Sequence, residues 1–361
     1  MAPLPHLRAQ FPALERRAFL NAGTCGPLPR AAAKAEAAVA LTAMDEGRAG
    51  EYYERFAAAR QRLRERYAAL LNAQPADVAV TTSTTEGMVR VLQALGLKAG
   101  DEVLTAPDEH PGLLGPLAAL RTTAGIVVRT APLADLASAI TRATKLVACS
   151  HVGWVSGELA PAELARAADG IPVLLDGAQG AGAIAVDVQE LGCAFYAAAG
   201  QKWLCGPVGT GMLYVDPAWR DRLALTGVAY ANLVDPGAGL EAEPYPDARA
   251  LDAVSQSPEA LTSAGAAFDV LAEAGWSAVH ERAATLADQL VELLREAGYT
   301  VAPRGRTTLV SWEAGDDAEA QRDRLAAAGV VVRNLPRTPY LRASVGAWND
   351  QSDLDRLIAA L

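Results

Sequence analysis

The sequence predicts an α/β fold, in which a large domain with a mostly parallel sheet precedes a small C-terminal α+β domain. Between residues 77 and 215, apolar runs of strand length alternate with helical patterns, as expected for parallel strands buried on both faces. A stretch rich in Gly, Pro and acidic residues at 227–258 then precedes a helical tract and a mixed tail. The chain has 361 residues, 51% of them hydrophobic, which is enough for two or three domains of roughly 150 residues each.

The predicted elements follow in chain order. Alanine and leucine at helical spacing indicate helices across 30–72. Apolar runs predict strands at 77–82, 102–107, 126–132, 145–152, 171–176, 195–201 and 209–215, and helical spacing predicts helices at 86–96, 162–169, 259–297 and 350–361. We expect an N-terminal segment (1–15) that packs with the small domain, a large cofactor-binding domain (16–235) and the small domain (236–361).

Charge and composition exclude several classes of protein. The formal net charge of −10 disfavours general nucleic-acid binding, because an acidic chain repels phosphate backbones. The four cysteines form no CxxC pair, and they are too few for a disulfide scaffold. The sequence contains no long uncharged apolar run. We expect a cytoplasmic enzyme with no nucleic-acid or membrane partner and, with only four histidines, no metal site.

Asp176 and Lys202 give the strongest chemical signal. Asp176 ends the apolar run IPVLLD, and the carboxyl ends of parallel strands form the ligand crevice of such sheets. Lys202 follows among small residues in AAAGQKWLCGPVGTG, where desolvation lowers the pKa of an amine and makes it nucleophilic toward a carbonyl. Pyridoxal 5'-phosphate needs this pair, because the lysine forms a Schiff base and the acid keeps the pyridine nitrogen protonated.

The sequence predicts that a helix begins just after the first predicted strand, and the start of this helix is suited to bind the phosphate of the cofactor. Ser83 and Glu86 have the spacing of a capping box in VTTSTTEGMVRVL. The free N–H groups of a helix N-terminus attract an anion. Thr84 and Thr85, in this first turn, are therefore candidate phosphate-binding residues.

These segments resemble the cofactor signature of the aminotransferase class V family, which has fold type I of the pyridoxal-phosphate enzymes. The resemblance runs from LNAGTCGPLP (20–29) to LRASVGAWND (341–350). It implies a homodimer with its site between the two domains. It also implies that Asp176 pairs with the pyridine nitrogen, that Gln179 bonds the phenolic oxygen, and that Lys202 is the Schiff-base lysine.

The resemblance assigns further site residues. His110, which follows Glu109, matches the histidine that stacks over the cofactor ring and moves protons in the desulfurase branch. Gln201 stands where that branch has a phosphate-binding histidine, and Trp154, where it often has asparagine, is expected to line the substrate pocket. Arg342 matches the arginine that binds the substrate α-carboxylate, a role that suits a planar, permanently charged guanidinium. Ser257 is a candidate phosphate donor across the dimer interface.

One family feature is missing. Desulfurases carry a mobile cysteine on a loop before the C-terminal arginine, whereas residues 330–340 contain none and all four cysteines precede residue 206. A persulfide relay at the usual position is therefore impossible. Cys25 belongs to the entrance segment, where a packed small residue is the simpler interpretation.

Several functions stay open at this point. The favoured hypothesis is a Cβ–S lyase, which is desulfurase-like but does not use the missing cysteine. A class V aminotransferase and an amino-acid epimerase are the alternatives. More remote are a non-catalytic binding protein, which would not be expected to keep Asp176 and Lys202, and an NAD-binding oxidoreductase, suggested by the G-x-G-x-x-A pattern at 180–185.

Overall fold

A computed structural model describes residues 4–361 of the chain. The helices of this part are α1 (Pro5–Arg8), α2 (Arg30–Glu46), α3 (Gly50–Leu71), α4 (Thr84–Ala94), α5 (Pro111–Thr123), α6 (Leu136–Ala139), α7 (Leu164–Ala168), α8 (Val188–Leu191), α9 (Pro217–Arg220), α10 (Pro258–Ala274), α11 (Trp276–Glu296), α12 (Ala318–Ala327) and α13 (Gln351–Ala360). The strands are β1 (Ala18–Phe19), β2 (Val78–Thr81), β3 (Glu102–Thr105), β4 (Val127–Thr130), β5 (Thr144–Ser150), β6 (Val173–Asp176), β7 (Phe195–Ala199), β8 (Gly211–Val215), β9 (Leu309–Glu313), β10 (Val330–Val331), β11 (Arg333–Asn334) and β12 (Tyr340–Ser344).

The predicted parallel sheet is confirmed as a seven-stranded sheet with the order β2-β8-β7-β6-β5-β3-β4. Strand β8 runs antiparallel to both of its neighbours, and the other pairings are parallel. Six strands therefore share one direction, so their carboxyl ends meet at a single edge. This edge is where ligands bind in open α/β sheets.

Helices cover both faces of the sheet, which explains the continuous apolar character of its strands. Successive strand residues point to opposite faces, so Val78 and Val80 pack in one buried cluster and Ala79 packs in another. The first cluster includes residues of α3 and α10, and the second includes residues of α4 and α5. The mixed α/β fold class is confirmed.

The C-terminal unit is an antiparallel sheet with the order β11-β12-β9. Helices α11 and α13 supply apolar residues to the core beside it. The start of the chain contacts the same unit: β1 pairs in parallel with β10, the rings of Phe11 and Trp348 lie 5.2 Å apart, and Arg8 forms a salt bridge of 2.7 Å with Asp353.

The segment between the two sheets belongs by its contacts to the large sheet. Buried Asp252 accepts hydrogen bonds from both terminal nitrogens of Arg64 in α3, at 2.9 and 2.6 Å, and from the backbone N–H of Val80. Helix α10 packs against α2 and α3. The division into segments 1–15, 16–235 and 236–361 stays a prediction, and these contacts favour a boundary near residue 275 rather than 235.

Gly275 divides the predicted helical tract 259–297 into α10 and α11. Its φ of 84° and ψ of 119° are strained for any residue with a Cβ. We expect Gly275→Ala to lower the free energy of unfolding by about 1–3 kcal/mol, measured by chemical denaturation. Gly50→Ala, at an exposed position at the start of α3 where a Cβ meets no atom within 4 Å, is the control and should raise stability by up to about 1 kcal/mol. Equal effects of the two substitutions would contradict the strain at Gly275.

No helix within residues 4–361 has the length and apolar character that crossing a bilayer requires.

Candidate active site

A cavity of about 220 Å³ lies where the parallel strands end. The segments that follow β2, β3, β5, β6 and β7 contribute to its wall, and the C-terminal sheet and the segment after β1 complete it. The cavity brings together nine of the ten residues assigned to the site from the sequence, all but Ser257, which was expected to act across an interface: Thr84, Thr85, His110, Trp154, Asp176, Gln179, Gln201, Lys202 and Arg342.

Asp176 is the last residue of β6, and its position is held by backbone hydrogen bonds. Its carbonyl accepts from His151 N at 2.9 Å, and its carboxylate Oδ1 accepts from Ala178 N at 2.9 Å. The residue is only 6% exposed, so a cation or donor in the cavity is needed to offset the desolvation of its charge.

Lys202 lies three residues after β7 and lines the same cavity. Burial lowers the pKa of its amine to about 8, an effect that Asp176 opposes and that Arg342 and Arg333 reinforce. A tenth or so of the amine is therefore neutral at pH 7, far more than in an ordinary lysine. This is the state required of a nucleophile toward an aldehyde.

The N-terminus of α4 offers unpaired donors to the cavity. The hydroxyl of Ser83 accepts from Glu86 N at 3.1 Å, which satisfies one of the first-turn N–H groups and leaves those of Thr84 and Thr85 without an intrahelical acceptor. The Thr84 Oγ1 atom is buried with no hydrogen-bond partner among the described residues, as is the Gln201 Oε1 atom.

His110 caps α5, and its tautomer follows from this contact. The ring Nδ1 accepts from Gly112 N at 3.0 Å, so in the neutral ring the proton lies on Nε2. Burial and the charge of Lys202 lower the pKa of His110, which keeps the ring neutral near pH 7. The ring meets Trp154 edge to face at 5.3 Å, and the Trp154 indole donates to Asp108 O at 2.7 Å.

Glu109, which precedes His110 in the chain, is held by Ser150, a contact that sequence reasoning missed. Its carboxylate accepts from Ser150 N at 2.7 Å and from the Ser150 hydroxyl. Burial raises the pKa of Glu109 to about 7, although both hydrogen bonds oppose this. The contact joins the segment after β3 to the end of β5, and so fixes where His110 stands.

Gln179 connects the site to the entrance segment. Its Nε2 donates to Gly23 O at 2.8 Å, and its Oε1 accepts from Trp203 Nε1 at 3.0 Å. One N–H of the amide remains for a ligand. Gly23 is required here, because a Cβ would lie 2.9 Å from Arg342 Nη2.

Arg342 is fully buried in β12, yet it pairs with no carboxylate among the described residues. One terminal nitrogen donates to Trp154 O, and its Nε has no partner. Burial and the neighbouring Arg333 lower the pKa of the guanidinium to about 9. Such a group needs an anion, and a carboxylate fits its fork.

Arg333 and Thr24 also line the cavity, and neither was assigned to the site from the sequence. Arg333 Nη1 donates to Thr24 Oγ1 at 3.1 Å. The arginine lies in the segment 330–340, which the sequence marked only by its lack of cysteine. Its place beside Arg342 depends on the pairing of β11 with β12, which no local motif indicates.

The donor set fits pyridoxal phosphate. The carboxylate of Asp176 suits a protonated ring nitrogen, and the partly neutral amine of Lys202 suits the aldehyde. The start of α4, with the unpartnered Thr84 hydroxyl, suits the phosphate. The residues present therefore match each polar end of the cofactor.

None of the four cysteines lines the cavity. Cys149, Cys193 and Cys205 are buried, and Cys25 is half-buried. Burial raises the pKa of the Cys25 thiol, although Lys202 opposes this. A neutral thiol is a poor nucleophile.

The local structure at 180–185 does not fit the NAD-binding oxidoreductase alternative. The fingerprint requires a helix that begins at its glycines, but residues 177–187 form turns and a short bridge between Ala181 and Ile184. The next helix, α8, begins at Val188.

Comparisons with known proteins match most of the chain. The family model "Aminotransferase class-V" matches residues 40–357. The chain is 30% identical to the isopenicillin N epimerase of Streptomyces clavuligerus over 387 residues, covering 95% of this chain and 93% of the relative. It is 28% identical to the cysteine desulfurase of Cronobacter sakazakii over 409 residues, covering 99% and 97%.

A solved structure extends this likeness to three dimensions. A lysine-to-alanine mutant of C-DES, with glycine covalently linked to its PLP cofactor, superimposes with a TM-score of 0.91 at 25% sequence identity. The match covers 98% of both chains.

Proposed function

This chain belongs to the aminotransferase class V family, and from that premise we propose that it is a Cβ–S lyase acting on a sulfur-bearing amino acid. It is a pyridoxal-phosphate-dependent enzyme of fold type I, similar to cysteine desulfurases. The lyase reaction, the substrate and the residue roles are our proposal. The observation that carries it is the convergence of Lys202, Asp176 and Arg342 on a cavity with no cysteine in its wall.

The contacts of each site residue support the role that we propose for it. When bound, pyridoxal phosphate supplies an electron sink for negative charge at the substrate Cα. Lys202 holds the cofactor and takes the Cα proton, Asp176 keeps the ring nitrogen protonated, and the first turn of α4 binds the phosphate. Arg342 fixes the substrate carboxylate, which determines which bond of Cα faces the lysine amine. His110 would stand beside the bound ring, with its proton on Nε2 available to donate.

Elimination needs no thiol from the protein. The Cα–H and Cβ–S bonds break, a Cα–Cβ double bond forms, and the thiolate leaves with the Cβ–S electron pair and takes up a proton. Water then converts the unsaturated product to pyruvate and ammonium. A desulfurase instead needs a cysteine thiolate to accept sulfur, and the buried or half-buried cysteines of this chain favour the elimination.

Product analysis tests the proposal. Purified holoenzyme is incubated with S-substituted cysteines, and pyruvate, ammonium and the released thiol are measured without any keto acid. We expect the three products in equal amounts. A strict requirement for a keto-acid acceptor would establish the aminotransferase alternative and overturn the lyase.

Epimerisation is the second candidate function, because the chain is 30% identical to an isopenicillin N epimerase. It would require a proton donor on the face of Cα opposite Lys202. Incubation in deuterated water separates the two: an epimerase incorporates deuterium at Cα and inverts its configuration without forming pyruvate.

The low pKa of Lys202 predicts a pH dependence for cofactor capture. With a pKa of about 8, the neutral fraction of the amine rises about tenfold per pH unit below 8 and levels off above it. We therefore expect the rate at which apoprotein captures added pyridoxal phosphate to rise and then level near pH 8, measured by stopped-flow absorbance. The rate for Nα-acetyl-lysine under the same conditions, divided by the neutral fraction of its own amine, reports the cofactor's own pH effect. A corrected rate that keeps rising toward pH 10 would contradict the lowered pKa.

Three further predictions accompany the function. The homodimer and the cytoplasmic location stay predictions, as does a contribution of Ser257 across an interface. Within its own chain Ser257 caps α10, since its hydroxyl accepts from Ala260 N at 3.2 Å and donates to Glu259 at 2.5 Å.

A further inference from the structure

Two arginines stand side by side at the cavity without a carboxylate partner in the described part of the chain. Arg333 of β11 lies directly opposite Arg342 of β12 in the antiparallel register, and both line the cavity. Like charges in directly opposed positions destabilise a sheet. This arrangement therefore needs an anion to offset the repulsion.

Two other arginines of this protein pair with a carboxylate, whereas buried Arg60 and Arg282 form no salt bridge among the described residues and lie outside the cavity wall. Arg64 pairs with Asp252 through two hydrogen bonds, and Arg129 pairs with Glu102 in the same way. Arg333 instead donates to the neutral hydroxyl of Thr24, which is itself held by Asn21 at 2.8 Å. The Thr24 contact orients the guanidinium but leaves its charge uncompensated.

The charges of the wall support the same conclusion. Lys202, Arg333 and Arg342 contribute three positive charges, and Asp176 contributes the only carboxylate among the cavity-lining residues. The donors that suit the cofactor phosphate belong to α4 and to residue 201, whereas Arg333 belongs to the C-terminal sheet beside Arg342. One substrate α-carboxylate occupies the fork of one arginine, and Arg342 is the buried one. Arg333 is left for a second anion.

We propose that Arg333 binds a second oxyanion on the substrate side chain, so that the enzyme prefers S-substituted cysteines with an acidic group beyond the sulfur. The inference rests on the proposed lyase for the position of the sulfur. The recognition itself concerns binding and does not depend on which reaction follows.

A matched pair of substrates tests it. S-carboxymethyl-L-cysteine and S-carbamoylmethyl-L-cysteine have the same shape but differ in charge, and the S-carboxyethyl and S-carbamoylethyl pair extends the chain by one methylene. We expect wild-type kcat/KM to favour the acid over its amide by about tenfold or more in at least one pair, as for a charge-assisted hydrogen bond. A ratio near one in both pairs would overturn the proposal.

Variants assign the preference to Arg333. Arg333→Gln should bring the acid-to-amide ratio close to one, and Arg333→Lys should restore part of it. Arg337→Gln, an exposed arginine of the same segment that is absent from the cavity wall, should keep the wild-type ratio. If Arg333→Gln keeps the wild-type acid-to-amide ratio, the second site is not Arg333. The same conclusion follows if Arg342→Lys changes this ratio and neither Arg333 variant does. The ratio within one protein is insensitive to a general loss of folding.

Calorimetric binding separates this inference from the function. The dissociation constants of the same pairs are measured on the Lys202→Ala protein loaded with pyridoxal phosphate, which is not expected to turn over. A binding preference for the acid without pyruvate from wild type would sustain Arg333 and overturn the lyase. Pyruvate formation by the wild-type enzyme, together with equal binding of acid and amide, would sustain the lyase and overturn the role of Arg333.

Discussion

Lys202→Ala is expected to abolish covalent attachment of the cofactor and to lower kcat by about 10⁴-fold. The substitution removes the amine that holds the cofactor and also the base at Cα, and a positioned base alone contributes about 10²–10⁴-fold. Mass spectrometry after borohydride reduction checks the attachment independently of activity: the wild-type protein should gain one pyridoxyl phosphate, and the variant none.

The other lysines provide the control for this prediction. The chain has four lysines in all, and Lys145 is exposed on β5. Lys145→Ala should retain both the adduct and the activity. A reduced adduct that persists in the Lys202→Ala protein would mean that another lysine holds the cofactor, and the site would have to be assigned again.

Arg342→Ala should lower kcat/KM by roughly 30- to 700-fold, which corresponds to about 2–4 kcal/mol for a truncated buried charge contact. The guanidinium is buried and has no carboxylate partner in the described residues, so the substrate carboxylate is its natural ligand. Steady-state kinetics on the best S-substituted cysteine measure the change. We expect most of it in KM, since the contact exists in the ground state.

Arg342→Lys separates charge from geometry. The lysine keeps a positive charge but loses the two-pronged donor set, so its kcat/KM should fall between those of wild type and Arg342→Ala. The exposed Arg337→Ala serves as the control and should leave kcat/KM unchanged. A wild-type KM in Arg342→Ala would remove this residue from the substrate site.

The sequence predicts the local elements well because each has its own periodic pattern. The strand IPVLLD is observed as Val173–Asp176, and the helix predicted at 86–96 is observed as Thr84–Ala94. In the predicted helical tract 259–297, one backbone position accounts for the difference between prediction and structure. Gly275 breaks the tract 259–297 because its positive φ ends α10, and a pattern of apolar residues does not reveal this dihedral angle.

The candidate site could be predicted because most of its residues follow strands of one parallel sheet. Asp176 ends a predicted strand, and Lys202 and His110 each come shortly after one, so the three residues are expected at the same edge of the sheet. Glu109 was missed because its contact with Ser150 joins the loop after β3 to the end of β5, and the approach of these two segments depends on packing.

The sequence by itself determined the fold class, the cofactor and the nine residues of the cavity wall that follow from strand ends, a helix start and a family motif. Only the tertiary structure decided that α10 packs on α2 and α3, and that Arg333 stands opposite Arg342. The physical reason is the range of the interactions involved. Periodicity and capping act within a few residues, whereas strand register and helix packing depend on distant side chains that become neighbours only after the chain has folded.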